Sequence, residues 1–122
     1  RRRTVLSKLG LHALLYKIKS EGGKIYGIGA PSRASTLINY VGLDEGMVDC
    51  VLELPGSLKL GKYIPGTLIP VEDQQRLFDD PPDYTLILSW HIADELMPKL
   101  TEKGFTGDFV VPLPEARIVS GG

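Results

Sequence analysis

The sequence predicts a doubly wound α/β domain: a mostly parallel sheet of about five strands with helices on both faces. Three observations carry this. Short apolar runs rich in β-branched residues alternate along the chain with segments of helical periodicity, which is the pattern of parallel strands joined by crossovers. The stretch Lys24 to Tyr40 passes from one such run through Gly27, Gly29 and Pro31 directly into a helix. The most continuously apolar run, Tyr84 to Ser89, feeds just as directly into a second helix over Trp90 to Leu100.

Taken in order, Val5 to Glu21 carries Val5, Leu6, Leu9, Ala13, Leu15, Tyr16 and Ile18 at mixed three and four spacings, and Gly22-Gly23 closes it as a C-cap pair. This lead-in helix occupies residues 1–22. His12 on it has no second ligand at helical spacing and reads as an ordinary surface or satisfied residue. Lys24 to Ile28 is the first strand. Ser32 is placed to cap the next helix, with Leu37, Ile38 and Val41 on its apolar side and Gly42 as its stop. Val48 to Leu54 is the second strand. The segment Pro55 to Pro70 is irregular, with Leu58, Leu60, Tyr63 and Ile64 to tie it down, and Thr67 to Ile69 reads as a short strand. Val71 to Phe78 reads as a brief helix broken by Asp79 to Asp83. After the central strand and its helix, Gly104 marks a stop. Asp108 to Pro114 is the last main strand, at an edge because of its prolines, with a further contribution from Ile118 and Val119.

At 122 residues and 43% hydrophobic the chain suits one domain with one proper core. Fourteen basic against fifteen acidic residues give a net charge of −1, and the basic cluster Arg1–Arg3 stands at a chain end, so neither nucleic acid nor a membrane surface is implied. Cys50 is the sole cysteine, which excludes an intrachain disulfide and a thiolate metal cluster and fits a cytoplasmic setting. No apolar run approaches the roughly 20 residues that span a bilayer. A first residue other than methionine and the ending Ser120-Gly-Gly suggest a piece of a longer polypeptide.

The turn after the first strand is the leading functional candidate. Free backbone N–H groups and the positive end of a helix dipole converge there, with Arg33 and Ser35 alongside, so Gly29, Ala30, Ser32, Arg33 and Ser35 would receive a phosphate or carboxylate. In the strand order 3-2-1-4-5 the first and fourth strands are neighbours, and a crevice opens at their carboxyl ends. That places Trp90 and His91 on its wall, although core packing alone also accounts for Trp90. Tyr63, Gly66 and Lys59 of the long loop are expected to face the same crevice, while Lys59 and Lys62 read equally well as solvated loop lysines. Glu53, at the end of the second strand, is compatible with the ribose-binding carboxylate of dinucleotide domains. The glycine signature is incomplete, since Ser32 stands where a third glycine belongs.

Four motifs together narrow the reading: Gly29-Ala-Pro-Ser-Arg-Ala-Ser-Thr-Leu-Ile-Asn-Tyr40, Lys59-Leu-Gly-Lys-Tyr-Ile-Pro-Gly-Thr-Leu-Ile-Pro70, Leu88-Ser-Trp-His-Ile-Ala-Asp-Glu-Leu96 and Phe109-Val-Val-Pro-Leu-Pro114. In order and approximate spacing they resemble the Rossmann-like C-terminal domain of S-adenosylmethionine-dependent C-methyltransferases that act on nucleotide-linked deoxysugars. The family commonly has Trp-Asn where this chain has Trp90-His91, and a histidine at the place of Leu68. The resemblance implies a substrate-side domain without catalytic residues or metal ligands of its own. The cofactor S-adenosylmethionine and a structural zinc would belong to preceding domains, and a nucleotide-linked sugar would be held against the preceding methyltransferase domain. A free-standing Rossmann-like nucleotide-binding module, regulatory or linked to a nicotinamide cofactor, is the alternative.

Overall fold

The structure, a computed structural model, describes residues 2–29, 37–40, 42–53, 62–64, 66–112 and 117–120. Its strands are β1 (Ile25–Ile28), β2 (Cys50–Glu53), β3 (Val71–Asp73), β4 (Tyr84–Ile87), β5 (Asp108–Val111) and β6 (Arg117–Val119). Its helices are α1 (Arg2–Ser20), α2 (helical at 37–40), α3 (Arg76–Asp79) and α4 (Ala93–Glu102), the last entered through a 3₁₀ turn, Trp90–Ile92. The six strands form one sheet in the order β3-β2-β1-β4-β5-β6. The first five are parallel and β6 pairs antiparallel with β5. The doubly wound, Rossmann-like class read from the sequence is therefore the observed one, with one strand more than expected.

Side-chain alternation along the strands divides the core into two layers. Ile25, Val51, Leu86 and Val110 point to one face, where Leu11, Leu15 and Ile18 of α1, Leu37 and Ile38 of α2, and Ile64 and Ile69 cover them. Tyr26, Cys50, Leu52, Ile87 and Phe109 point to the other, under Leu77 of α3 and Met97 and Leu100 of α4. Among the described side chains of α1, the apolar face is Leu11, Leu15 and Ile18, whereas Ala13 and Tyr16 are exposed. Gly22 and Gly23 close α1 as expected, through Gly22 N to Lys19 O at 3.0 Å and Gly23 N to Ile18 O at 2.9 Å. Gly42 closes α2 in the same way, donating to Ile38 O at 2.8 Å.

Two assignments differ from the sequence reading. The third strand is not Thr67 to Ile69 but Val71–Asp73, where a helix was expected, and the helix shrinks to Arg76–Asp79. Thr67 is a turn residue: its hydroxyl donates to Ile64 O and accepts from Ile69 N. Val71, 2% exposed, is held in the sheet opposite Val51. Asp73 then accepts a hydrogen bond from Gln75 N at 2.8 Å, an Asx turn that ends the strand before a helix can start. The second difference concerns β5, which is not an edge. β6 covers it, and Pro112 lies just beyond its last residue, where no ladder donor is needed.

On the α3 side, Tyr26 is fully buried and its hydroxyl donates to the carbonyl and carboxylate oxygens of Asp80, at 2.8 and 3.1 Å. Lys24 pairs with Asp80 at 2.7 Å, Arg76 pairs with Glu72, and both cations sit over the Tyr26 ring, at 5.5 and 4.9 Å from its centre. Burial pushes the Tyr26 phenol up, and the hydrogen bond from Lys24 holds the Asp80 carboxyl below its usual range. Thr85, central in β4 and 0% exposed, is the contrary case, because its hydroxyl has no partner among the described residues. Thr85→Val keeps the shape and removes that unmet demand, so it should raise stability by about 1 kcal/mol. A thermal melt in which the valine variant unfolds earlier would contradict this reading.

Candidate functional site

The strand order reverses between β1 and β4, and the chain is organised around that point. Gly29 follows β1 and Ser89 and Trp90 follow β4, so the two exits lie side by side at the carboxyl edge of the sheet. Leu88 N donates to Ile28 O at 2.9 Å, and Gly29 N reaches Leu52 O at 3.5 Å on the other side. Only glycine fits at position 29. Its φ is +157°, and a Cβ there would stand 2.9 Å from Ser89 Oγ and 3.2 Å from Ser89 N. Gly27 is packed for a similar reason, since a Cβ would stand 2.6 Å from Leu88 Cδ1. Local turn chemistry and the parallel register thus bring the two exits into contact.

Trp90 opens the 3₁₀ turn at this edge and is 42% exposed, with Ile92 at 40% two residues on. His91 is the middle residue of the same turn. Large apolar side chains left open beside a strand-order reversal make a platform on which a flat or sugar-like group can rest. The first turn of α4 carries Asp94 and Glu95, which already complement the positive end of that helix. An anionic group is therefore poorly received at the start of α4. Ser89, buried beneath the turn, and Ile92 line this edge but were not among the residues selected from sequence. Their signal was the junction itself, the last residue of the apolar run and the residue two past the tryptophan.

Ala30, Ser32, Arg33 and Ser35, and with them the cap at Ser32, lie outside the described residues, as does Lys59. The described part of the long loop does not reach the Gly29–Trp90 edge. Tyr63 bridges to Pro70, and Lys62 O accepts from Val71 N at 2.7 Å, so this segment lies at the amino end of β3. Gly66, with φ +83°, packs against Asn39 of α2, where a Cβ would stand 2.8 Å from Asn39 Oδ1. Together with Thr67 and Leu68 it lines a hollow of about 400 Å³ against Leu43, Asp44 and Glu45, in the connector that leads into the amino end of β2. The expectation that Tyr63 and Gly66 share a crevice with Gly29 and Trp90 is thus corrected. The physical reason is the crossover. A chain leaving β2 at one end must enter a parallel β3 at the other, and the buried Ile64 and Ile69 anchor its second half near the entrance.

Glu53 ends β2 and stands opposite Asp73 in the register with β3. Cys50 is buried, and burial pushes its thiol up to about 12, so a metal-binding thiolate is strongly disfavoured there. Among the described residues no group of three histidine, cysteine or carboxylate side chains is placed to hold a metal ion, and no helix is long and apolar enough to cross a membrane.

Comparison with known proteins agrees with the four motifs. A family model described as the C-methyltransferase C-terminal domain matches residues 1–114. C-methyltransferase NovU from Streptomyces niveus is 33% identical over 113 residues, which cover 90% of this chain and 26% of NovU. The chain therefore spans about a quarter of the length of that relative.

Proposed function

We propose, on the premise that this chain belongs to the C-methyltransferase C-terminal domain family, that it is the substrate-side domain of a sugar C-methyltransferase. Its ligand is a nucleotide-linked deoxysugar held at the carboxyl edge of β1 and β4. Methyl transfer from S-adenosylmethionine is the work of a methyltransferase domain preceding it in the same polypeptide, and a structural zinc would belong to a further, N-terminal domain. The observation that carries this reading is the contact of Gly29 with Ser89 beneath a half-open Trp90, at the one point where the strand order reverses. The diphosphate would meet the turn from Gly29 into α2, with Arg33 adding a charge-assisted contact. The sugar would lie toward Trp90, with the diphosphate kept away from the carboxylates Asp94 and Glu95. The domain itself supplies binding and orientation, which bring a reacting carbon to a methyl donor held elsewhere.

Trp90 is the sole tryptophan, so its fluorescence reports on this edge directly. Titration of the 122-residue chain with nucleoside-diphosphate sugars should change that emission saturably, whereas S-adenosylmethionine and NAD should leave it unchanged. Arg33→Ala should weaken the sugar response by about 1.5–3 kcal/mol, as expected for loss of a hydrogen bond from a charged group. A saturable response to NAD with none to nucleotide sugars would favour a free-standing nucleotide-binding module instead.

A further inference from the structure

Beyond the last residue of β4 stands a serine whose hydroxyl the described fold does not use. Ser89 precedes the 3₁₀ turn Trp90–Ile92, the place where a serine side chain commonly caps the first free amides of a helix. Here the side chain makes no cap hydrogen bond. The turn is closed by the backbone, with Ile92 N donating to Ser89 O at 3.0 Å, and among the described residues the hydroxyl has no hydrogen-bond partner. Ser89 is only 7% exposed, so this polar group has given up nearly all its water without a replacement. Packing alone would ask for no more than an alanine.

The geometry shows what the hydroxyl faces. A Cβ on Gly29 would stand 2.9 Å from Ser89 Oγ, so glycine at that position keeps open the space in front of the hydroxyl. The bond from Leu88 N to Ile28 O holds the two strand exits in register, and the Gly29 backbone and the Ser89 hydroxyl are presented together by paired strands. Thr85, in the same strand, is a different case. Its hydroxyl oxygen is fully enclosed in the core, where no ligand reaches it, whereas Ser89 lies at the carboxyl edge and keeps some exposure.

We propose that Ser89 is a binding residue of this edge, its Oγ–H donating to a diphosphate oxygen of the nucleotide-linked sugar where the diphosphate passes over Gly29. The proposal rests on the reading of this edge as the nucleotide-sugar site, and it adds a side-chain donor to that site. The diphosphate is the part assigned to Ser89 because the hydroxyl faces Gly29, where the lack of a side chain lets an anion approach the backbone closely. A hydroxyl held in place by paired strands is already oriented, so little ordering is lost when the bond forms.

Calorimetric titration of the full-length protein tests this with UDP-glucose, dTDP-glucose and GDP-mannose, the matching nucleoside diphosphates without sugar, and the matching nucleosides. Ser89→Ala should weaken binding of the nucleotide sugar that the wild type takes by about 10- to 100-fold, as for loss of a hydrogen bond to a charged group. The matching nucleoside diphosphate should weaken equally, while nucleoside affinity and melting temperature stay unchanged. Ser89→Cys refills the volume with only a weak donor and should bind like the alanine variant. Wild-type affinity in the alanine variant would overturn the proposal. Recovery in the cysteine variant, or a melting temperature that falls in both, would also overturn it by showing that Ser89 acts through packing. A loss confined to the nucleotide sugar, with the diphosphate unaffected, would move the hydroxyl to the sugar and refute the assignment. Wild-type protein that binds none of these probes would remove the substrate reading itself, and the proposal with it. That failure shows in the wild type, whereas failure of the Ser89 assignment alone shows only in the variants.

Discussion

Tyr26→Ala is expected to lower the stability of the domain by about 3–5 kcal/mol, the range for removing a buried aromatic ring from a core. The ring is fully buried in the layer beneath α3 and α4, so its loss leaves a cavity that the surrounding Leu77 and Phe109 cannot fill without moving. It also withdraws the surface on which the Arg76 guanidinium and the Lys24 ammonium rest, and the hydroxyl that holds the segment at Asp80. A single domain has only about 5–15 kcal/mol in total, so this variant should stand near the limit of folding. Tyr26→Phe separates the contributions. It keeps the ring and both cation contacts and should cost only about 0.5–1.5 kcal/mol, the usual net worth of a hydrogen bond. Urea unfolding with an unchanged slope would give both values. Equal losses in the two variants would mean that the hydroxyl, not the packing, dominates.

Gly29→Ala is expected to cost about 2–4 kcal/mol of stability and to abolish binding of a nucleotide sugar at the same time. Two effects add. A non-glycine residue at φ +157° carries backbone strain, and its Cβ would collide with the backbone and hydroxyl of Ser89, each effect on the order of 1–3 kcal/mol. Relief requires the exits of β1 and β4 to move apart, which spreads the edge where Trp90 stands. Gly10→Ala is the matched control, since α1 leaves open space there and a helical alanine gains about 0.5–1 kcal/mol over glycine. Chemical denaturation and Trp90 fluorescence titration on both variants would show the difference. Wild-type binding by a folded Gly29→Ala protein would remove the ligand from this turn.

What the sequence by itself determined follows from short-range chemistry. The apolar run Tyr84 to Ser89 and the glycines at 27 and 29 identify buried strands and the sharp exit between strand and helix. Gly22 and Gly42 mark helix ends through hydrogen bonds to residues three to four positions back. Those signals also fix the alternation of strands and helices, and with it a parallel doubly wound sheet; the meeting of β1 with β4 follows once the common order 3-2-1-4-5 of such sheets is taken, and that order is the observed one. The four motifs carry the family in the same way, by order and spacing along the chain. Only the tertiary structure decided where residues 62–73 go. By composition Thr67 to Ile69 is the better strand, since Glu72 and Asp73 are types depleted in strands. The choice fell to Val71 because Val51 offers it a parallel partner, and because Ile64 and Ile69 are buried against α2 while Thr67 satisfies its own turn. The same holds for β6, which exists because β5 presents an unpaired edge to it, and for the exposure of Tyr16, one residue beyond the buried Leu15. Hydrogen-bond partners and neighbouring faces that lie far away in the chain are set by the closing of the sheet and its layers, and no local pattern of residue types records them.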